Sequence, residues 1–373
     1  MKVLYLINFA GKAGTERYVE NLVAHLHPDK ASCGLCYNVD GPLADKMRAM
    51  GIPTHRVQMR HMLDLQAAKA LADLCKKEGY DVIHAQYPLD NCIALLARHF
   101  GSGARVVFTS HLTLHQPLHW KLINRTFTPG NHRIISVCKE GADILRSNGV
   151  CPQKIEVIFN GIDATAPLPR DRSVLEEFGI GDGELVISIL ARFAPEKGLE
   201  FLCDAIAQVK AHTKIPFRVL MMGDGELFPR IRDQVAGLGL SDTIVLTGFR
   251  TDTARLLAAS DLYLNSSSCN EAMSFAILEA LGASLPVIAT DVGGNSDLVH
   301  LGGTCGAIIP YGDTQGYAQA IIRLLENDDL RAEYSRTAYH KATPEFDLHQ
   351  LLDAVYQTYH PYIQTKQERG NAT

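Results

Sequence analysis

The sequence is short of most features that would assign it to a specialised class. No apolar run approaches the roughly 18 residues that a membrane-spanning helix needs. Met1-Lys2 followed by Val3 to Phe9 could imitate a secretion leader. That apolar part is short, lacks a cleavage site and runs into a glycine turn, so a first core strand is the better reading. Its nine cysteines are scattered, with a single C-x-x-C, Cys33 to Cys36, in a strand-like run without a second pair or a nearby histidine cluster. A core strand fits that pair better than zinc or a redox centre, and reduced thiols lead to the expectation of a cytoplasmic protein. There is no D-x-D, no Walker loop and no G-x-G-x-x-G. Tryptophan occurs once, and a net charge of -5 argues against a dedicated nucleic-acid binder.

What is present is the pattern of a repeated α/β unit. A chain of 373 residues is long for one core and comfortable for two. Apolar runs at Val3 to Phe9, Ser32 to Val39, Thr54 to Val57, Asp81 to Ala85, Arg105 to Ser110, Arg133 to Val137 and Ile155 to Phe159 alternate with helical segments. Asn160-Gly161 is a turn signal, and Ala164 to Arg172, with Pro167 and Pro169, reads as a linker. Strands are expected again at Leu185 to Leu190, Phe217 to Met222, Ile244 to Gly248, Leu262 to Leu264, after Pro286, and at Thr304 to Pro310. The expected units are therefore 1–163 and 164–346. Through Asp163 the chain has 19 Lys and Arg against 14 Asp and Glu, and ten of its 15 histidines. The first unit is then the one to meet an anionic partner or membrane surface, although a solvated face explains the same bias.

The most informative stretch is Ala259 to Val299, read as strand, polar loop, helix, strand and glycine turn. Open parallel sheets place ligands at such loops, where free backbone N–H groups face outward. Glu271 belongs to the loop and Glu279 to the helix, so they suit two rings of one elongated ligand rather than an acid/base pair. The plainer alternative has Glu271 complementing a helix dipole and Glu279 on a solvated face. Arg192 and Lys197, in A-R-F-A-P-E-K-G, put two cations beside a helix start, a sound diphosphate site or else two solvated charges around a proline turn. Gly11 and Gly14 in G-K-A-G-T-E let the backbone approach a ligand. His111 ends its strand where it can reach a crevice, or is simply a satisfied core histidine. Leu112 to Arg133 mixes Leu and Phe with His115, His119, Trp120, Lys121, Arg125 and His132; it suits an acceptor or membrane-docking helix, or a helix with one packed and one wet side.

With these residues set out, the chain resembles the retaining GT-B glycosyltransferases of family four. The resemblance rests on the two glutamates with seven residues between them, the trailing P-V-I-A-T-D-V-G-G and the N-G-I-D turn, and it extends over essentially the whole chain. It implies two Rossmann-like parallel-sheet domains facing across a deep cleft, the first for the acceptor and the second for a nucleotide sugar, most often a UDP-sugar. It also implies a final helix, about 347–373, that crosses back to the first domain. Carried over residue by residue, it places Glu279 on ribose hydroxyls, and Glu271 and His111 on the donor sugar. Arg192 and Lys197 take the diphosphate, aided by N–H groups near Ser274 and Phe275. Gly11, Gly14 and Gly223 lie at loops that recur in the family, and Phe249 and Arg250 lie where relatives hold the base. The chain departs from the pattern at Ala13, at Ala191, at Ala272-Met273-Ser274 for G-F-G and at Asn295-Ser296-Asp297 for x-P-E, which bears on donor identity more than on reaction type.

The expectation is hexosyl transfer with retention to a hydroxyl acceptor (a glycan, a lipid-linked sugar or a small molecule), with no cofactor beyond the nucleotide sugar. Fixed cations would hold the leaving group, because no D-x-D offers a metal its ligands. No carboxylate pair suited to double displacement is evident, so same-face attack is preferred. The rival classes are a GT-B phosphorylase or epimerase, told apart by acceptor dependence, and a non-catalytic sugar-binding protein, disfavoured by the intact Arg192, Lys197, Glu271 and Glu279.

Overall fold

Thirteen apolar runs pair into two all-parallel sheets in the computed structural model, which describes residues 1–25, 31–111, 113–163, 168–342 and 344–360. The first sheet contains β1 (Lys2–Phe9), β2 (Ser32–Val39), β3 (Thr54–Arg56), β4 (Val82–Ala85), β5 (Arg105–Ser110), β6 (Arg133–Ser136) and β7 (Ile155–Val157), in the order β3-β2-β1-β4-β5-β6-β7. The second contains β8 (Leu185–Leu190), β9 (Phe217–Met222), β10 (Ile244–Gly248), β11 (Leu262–Asn265), β12 (Val287–Thr290) and β13 (Gly306–Ile309), in the order β10-β9-β8-β11-β12-β13. Their near-continuous apolar sequences follow from burial on both faces. Val3 to Ile7 and Ile187 to Ile189 are sealed between helical layers that form four large apolar clusters.

Each sheet has one point where the strand order reverses, between β1 and β4 in the first and between β8 and β11 in the second. Loops leaving the two strands at such a point diverge and open a crevice. The loop after β1 carries Gly11 and Gly14, that after β8 carries Arg192 and Lys197, and that after β11 carries Glu271. Topology thus brings distant sequence segments to one place.

The chain passes from one sheet to the other after Asp163 and returns near Asp347, and the two crossings lie side by side. Ile162 N–H donates to Phe346 O at 2.9 Å, and Leu348 N–H to Ile162 O at 2.9 Å. The helix Leu348–Tyr359 then buries Leu348, Leu351, Leu352, Val355 and Tyr359 against Val3, Tyr5 and the helix Gly14–His25 of the first half.

Several expected boundaries shift. The last strand shortens to Gly306–Ile309, and a 3-10 segment, Arg172–Phe178, comes after the linker without a signal in the sequence. Among the described residues of Leu112 to Arg133 only Leu118–Phe127 is α-helical, because Pro117 begins the helix and Pro129 turns its end into a 3-10 turn. The helices expected between Gln315 and about Tyr362 are Thr314–Leu325, Asp328–Ala342 and Leu348–Tyr359 among the described residues. Leu112, linker residues 164–167 and the tail 361–373 lie outside the described residues. Cys33 and Cys36 sit within β2 and all nine cysteines are free.

Candidate active site

The site in the second half is built on four loops locked together through their backbones. After β8, Ala191 N–H donates to Met222 O at 3.0 Å and Phe193 N–H to Asp224 O at 2.9 Å, with the Phe193 ring fully buried as an anchor. The neighbouring turn requires glycine at 223, where φ is +137° and a Cβ would stand 1.9 Å from Ala191 O. The glycine turn after β12 lies flat against the loop after β11. At Gly293, with φ of +58°, a Cβ would come within 1.4 Å of Glu271 O, and Gly294 N–H donates to Ala272 O at 2.8 Å. The loop that presents Glu271 is therefore shaped from behind.

On this frame Lys197 Nζ lies 2.6 Å from Glu271 Oε2, and Ser267 Oγ donates to the same oxygen at 2.7 Å. Both members of the ion pair are largely buried, Glu271 at 8% exposure. Ser266 Oγ fixes the other end by donating to Lys197 O at 2.8 Å. Arg192 projects outward, with its side chain 67% exposed, and pairs with Glu196, four residues on. Ser274 caps the helix Phe275–Gly282, its Oγ accepting from Ile277 N at 3.4 Å, so the helix begins facing the same space. Arg192, Lys197, Gly223, Phe249, Glu271 and Ser274 line one cavity of 430 Å³.

A second cavity of 830 Å³ opens beside it, between the loop after β1 and the helix that carries Glu279. Gly11, Gly14, Arg250 and Glu279 line it. Glu16, itself buried, accepts from Ala13 N at 3.0 Å and so holds the glycine loop in shape. Glu279 Oε1 pairs with Arg17 from the opposite half, whereas its Oε2 is buried without a partner among the described residues. Arg250 donates to Asp252 Oδ1 and Oδ2 at 2.8 and 2.7 Å and to Glu177 Oε1 at 2.8 Å, so it is a fixed wall rather than a mobile charge. The two cavities meet at Gly14, Leu190, Phe275 and Ala276 and at Lys12.

His111 lines neither of these cavities. It stands at the end of β5 with Nε2 3.0 Å from Gln86 Oε1 and the edge of the Tyr18 ring against it. Burial pushes its pKa down to about 3, so the imidazole is neutral near pH 7. Beneath it a polar chain runs through the first sheet. His84 Nδ1 is 2.7 Å from Tyr359 Oη and its Nε2 2.7 Å from Thr109 Oγ1, and burial also lowers its pKa to about 3.

Sequence reasoning passed over Lys12, Arg17 and Ser267. Lys12 lies within the glycine loop after β1 and Arg17 in the helix that follows it, but nothing in the local pattern indicates partners in the other half of the chain. Among the described residues no group of three or more His, Cys, Asp or Glu could hold a metal ion, and no helix is long and apolar enough to cross a membrane.

Two family models match the chain, Glycosyltransferase Family 4 over residues 13–166 and Glycosyl transferases group 1 over residues 184–327. N-acetyl-alpha-D-glucosaminyl L-malate synthase of Bacillus anthracis is 26% identical over 314 residues, 80% of each chain. The UDP-Gal:alpha-D-GlcNAc-diphosphoundecaprenol alpha-1,3-galactosyltransferase of Escherichia coli is 26% identical over 336 residues, 86% of each chain. Among solved structures, Anabaena HepE in complex with UDP superposes with a TM-score of 0.81 at 22% identity, covering 96% of this chain and 99% of the other. The two matches span both halves of the chain, and its two parallel sheets superpose on a solved two-domain neighbour, so the chain belongs to the glycosyltransferases of family four and group 1, on the GT-B fold.

Proposed function

We propose that the protein transfers a hexose from a UDP-sugar to a hydroxyl acceptor with retention of anomeric configuration and without a metal. The observation that carries this reading is the meeting of the two cavities at the N-terminus of the helix Phe275–Gly282. A nucleoside seated by Glu279 and a sugar seated by Glu271 leave their diphosphate at that helix start, where N–H groups are free. The unpartnered Oε2 of Glu279 supports a ribose hydroxyl as its missing donor. Arg192 and Lys197 then carry the diphosphate charge, each charge-assisted bond contributing about 1.5 to 3 kcal/mol. Phe249 and Arg250 form the wall for the base, Gly11, Gly14 and Gly223 allow close backbone approach, and His111, as a neutral imidazole, meets a sugar hydroxyl in the closed cleft.

In the transfer step the bond from the anomeric carbon to the phosphate oxygen breaks as the acceptor oxygen bonds to the same face of that carbon. The acceptor's proton passes to the departing phosphate oxygen, which Arg192, Lys197 and the helix N-terminus stabilise. Glu271 is salt-bridged to Lys197 and serves better as a hydroxyl-binding group than as a nucleophile.

The domain reading is 1–163 for the acceptor and 164–346 for the donor, with the last helix tying the two. Glycan or lipid-linked acceptors are the favoured class, in keeping with the lipid-linked acceptor named for the Escherichia coli relative. The helix Leu118–Phe127 buries none of its residues; Leu118 and Leu122 are 71% and 60% exposed beside Lys121 and Arg125, which supports contact with an anionic membrane face.

The test is to incubate the protein with UDP-sugars and follow UDP release and the anomer formed by NMR, with and without chelator. Slow hydrolysis or transfer that is insensitive to EDTA and yields the donor's own anomer is expected. Abolition by chelator, or inversion, would sink the reading.

A further inference from the structure

Six cations line the two cavities of the cleft: Lys12, Arg17, Lys46, Arg192, Lys197 and Arg250. Five of them are neutralised by carboxylates. Arg17 pairs with Glu279, Lys46 with Glu20, Arg192 with Glu196, Lys197 with Glu271, and Arg250 with Glu177 and Asp252. Among the described residues Lys12 has no carboxylate partner. Its ammonium instead lies 4.6 Å from the ring centroid of Phe249, which belongs to the other half of the protein and is 63% exposed.

Position makes this unbalanced charge informative. Of the residues that line both cavities (Lys12, Gly14, Leu190, Phe275 and Ala276), Lys12 alone is charged. It therefore stands where a ligand occupying both cavities must pass, opposite the N-terminus of the helix Phe275–Gly282 and across the cleft from Arg192 and Lys197. An ammonium held over an exposed ring makes only a weak contact and keeps all three of its N–H donors available. A dianionic group at that junction offers it a far better partner.

We propose that Lys12 is a third cation for the nucleotide diphosphate, supplied from the acceptor half, and that Phe249 parks it while the site is empty. This rests on the donor reading above and extends it. Two cations reach the leaving group from one side of the cleft and one from the other, so donor binding draws the halves together, and the charge that develops on the departing phosphate is met from both sides.

The test compares Lys12→Met, which keeps an unbranched apolar stem against Phe249, with Lys12→Arg, titrating each variant and the wild type with UDP and with uridine. The expected result is UDP affinity lowered about 10- to 100-fold in Lys12→Met, uridine affinity unchanged, and most of the loss recovered in Lys12→Arg. Equal loss of UDP and uridine would mean that the side chain only packs the loop, and no loss of either would mean that it never meets the phosphates; each overturns the proposal. Lys197→Ala separates this from the wider reading. If it selectively loses UDP while Lys12→Met does not, only the role of Lys12 falls. If the wild type binds no UDP, the donor reading falls and takes this proposal with it.

Discussion

Replacing Glu271 by glutamine tests the division of labour between sugar and nucleotide at constant shape. In the empty site Glu271 Oε2 receives Lys197 Nζ at 2.6 Å and Ser267 Oγ at 2.7 Å. Glutamine keeps a carbonyl oxygen for both but removes the charge opposite the largely buried Lys197, so the fold should lose about 1 to 3 kcal/mol. What changes is the charge offered to a sugar hydroxyl. A charge-assisted bond is roughly twice as strong as a neutral one, a difference of about 1 to 1.5 kcal/mol, or roughly 5- to 15-fold in kcat/KM for the sugar donor. Glu271→Ala removes the bond altogether and should cost about 10- to 150-fold. UDP, which has no sugar to lose, should bind each variant at least as well as the wild type, because Lys197 no longer shares its charge with a carboxylate. Kinetics with the intact donor and calorimetry with UDP measure the two quantities separately. If UDP affinity falls in step with kcat/KM, Glu271 does not act on the sugar and the assignment is wrong.

Glu279→Gln should erase the preference for UDP over 2′-deoxy-UDP, by roughly 10-fold, because the buried Oε2 would no longer await a ribose hydroxyl with full charge; an unchanged preference in competition binding would remove Glu279 from the ribose. Acid should loosen the first half through His84, whose burial holds its folded pKa near 3 against an ordinary 6.5. Above about pH 6.5 neither state gains a proton there. Below it the unfolded chain alone does, so stability falls by about 1.4 kcal/mol per pH unit down to about pH 3. His84→Gln should therefore narrow the gap between urea midpoints at pH 7.5 and pH 5, and an undiminished gap would show that His84 is not a source of the acid sensitivity.

The alternation of apolar runs with helical segments was enough to locate all thirteen strands, because a strand buried on both faces must be apolar nearly throughout. Boundaries were less legible. The 3-10 segment Arg172–Phe178 and the short helix Leu118–Phe127 depend on packing and on prolines whose effect varies with the residues next to them. Within the site, Arg192, Lys197 and Glu271 were legible because each sits on a loop directly after an apolar run, and the structure gathers all three around one cavity. His111 was legible by the same logic, yet it stands apart from both cavities against Gln86 and Tyr18, since a strand end shows that a residue reaches the sheet's edge but not which way its ring is held.

By itself the sequence determined two parallel α/β units, the loops that would carry chemistry, and the residue types suited to an anionic, hydroxyl-bearing ligand. Periodicity and turn chemistry are local properties, and these conclusions needed nothing else. Only the tertiary structure decided that Lys197 would spend its charge on Glu271, that Arg17 would reach across to Glu279, and that Lys12 would be left facing a ring instead of a carboxylate. These pairings join positions from 74 to 262 residues apart. They arise where the two sheets reverse strand order and turn those edges toward each other, an arrangement set by long-range packing that no local pattern encodes.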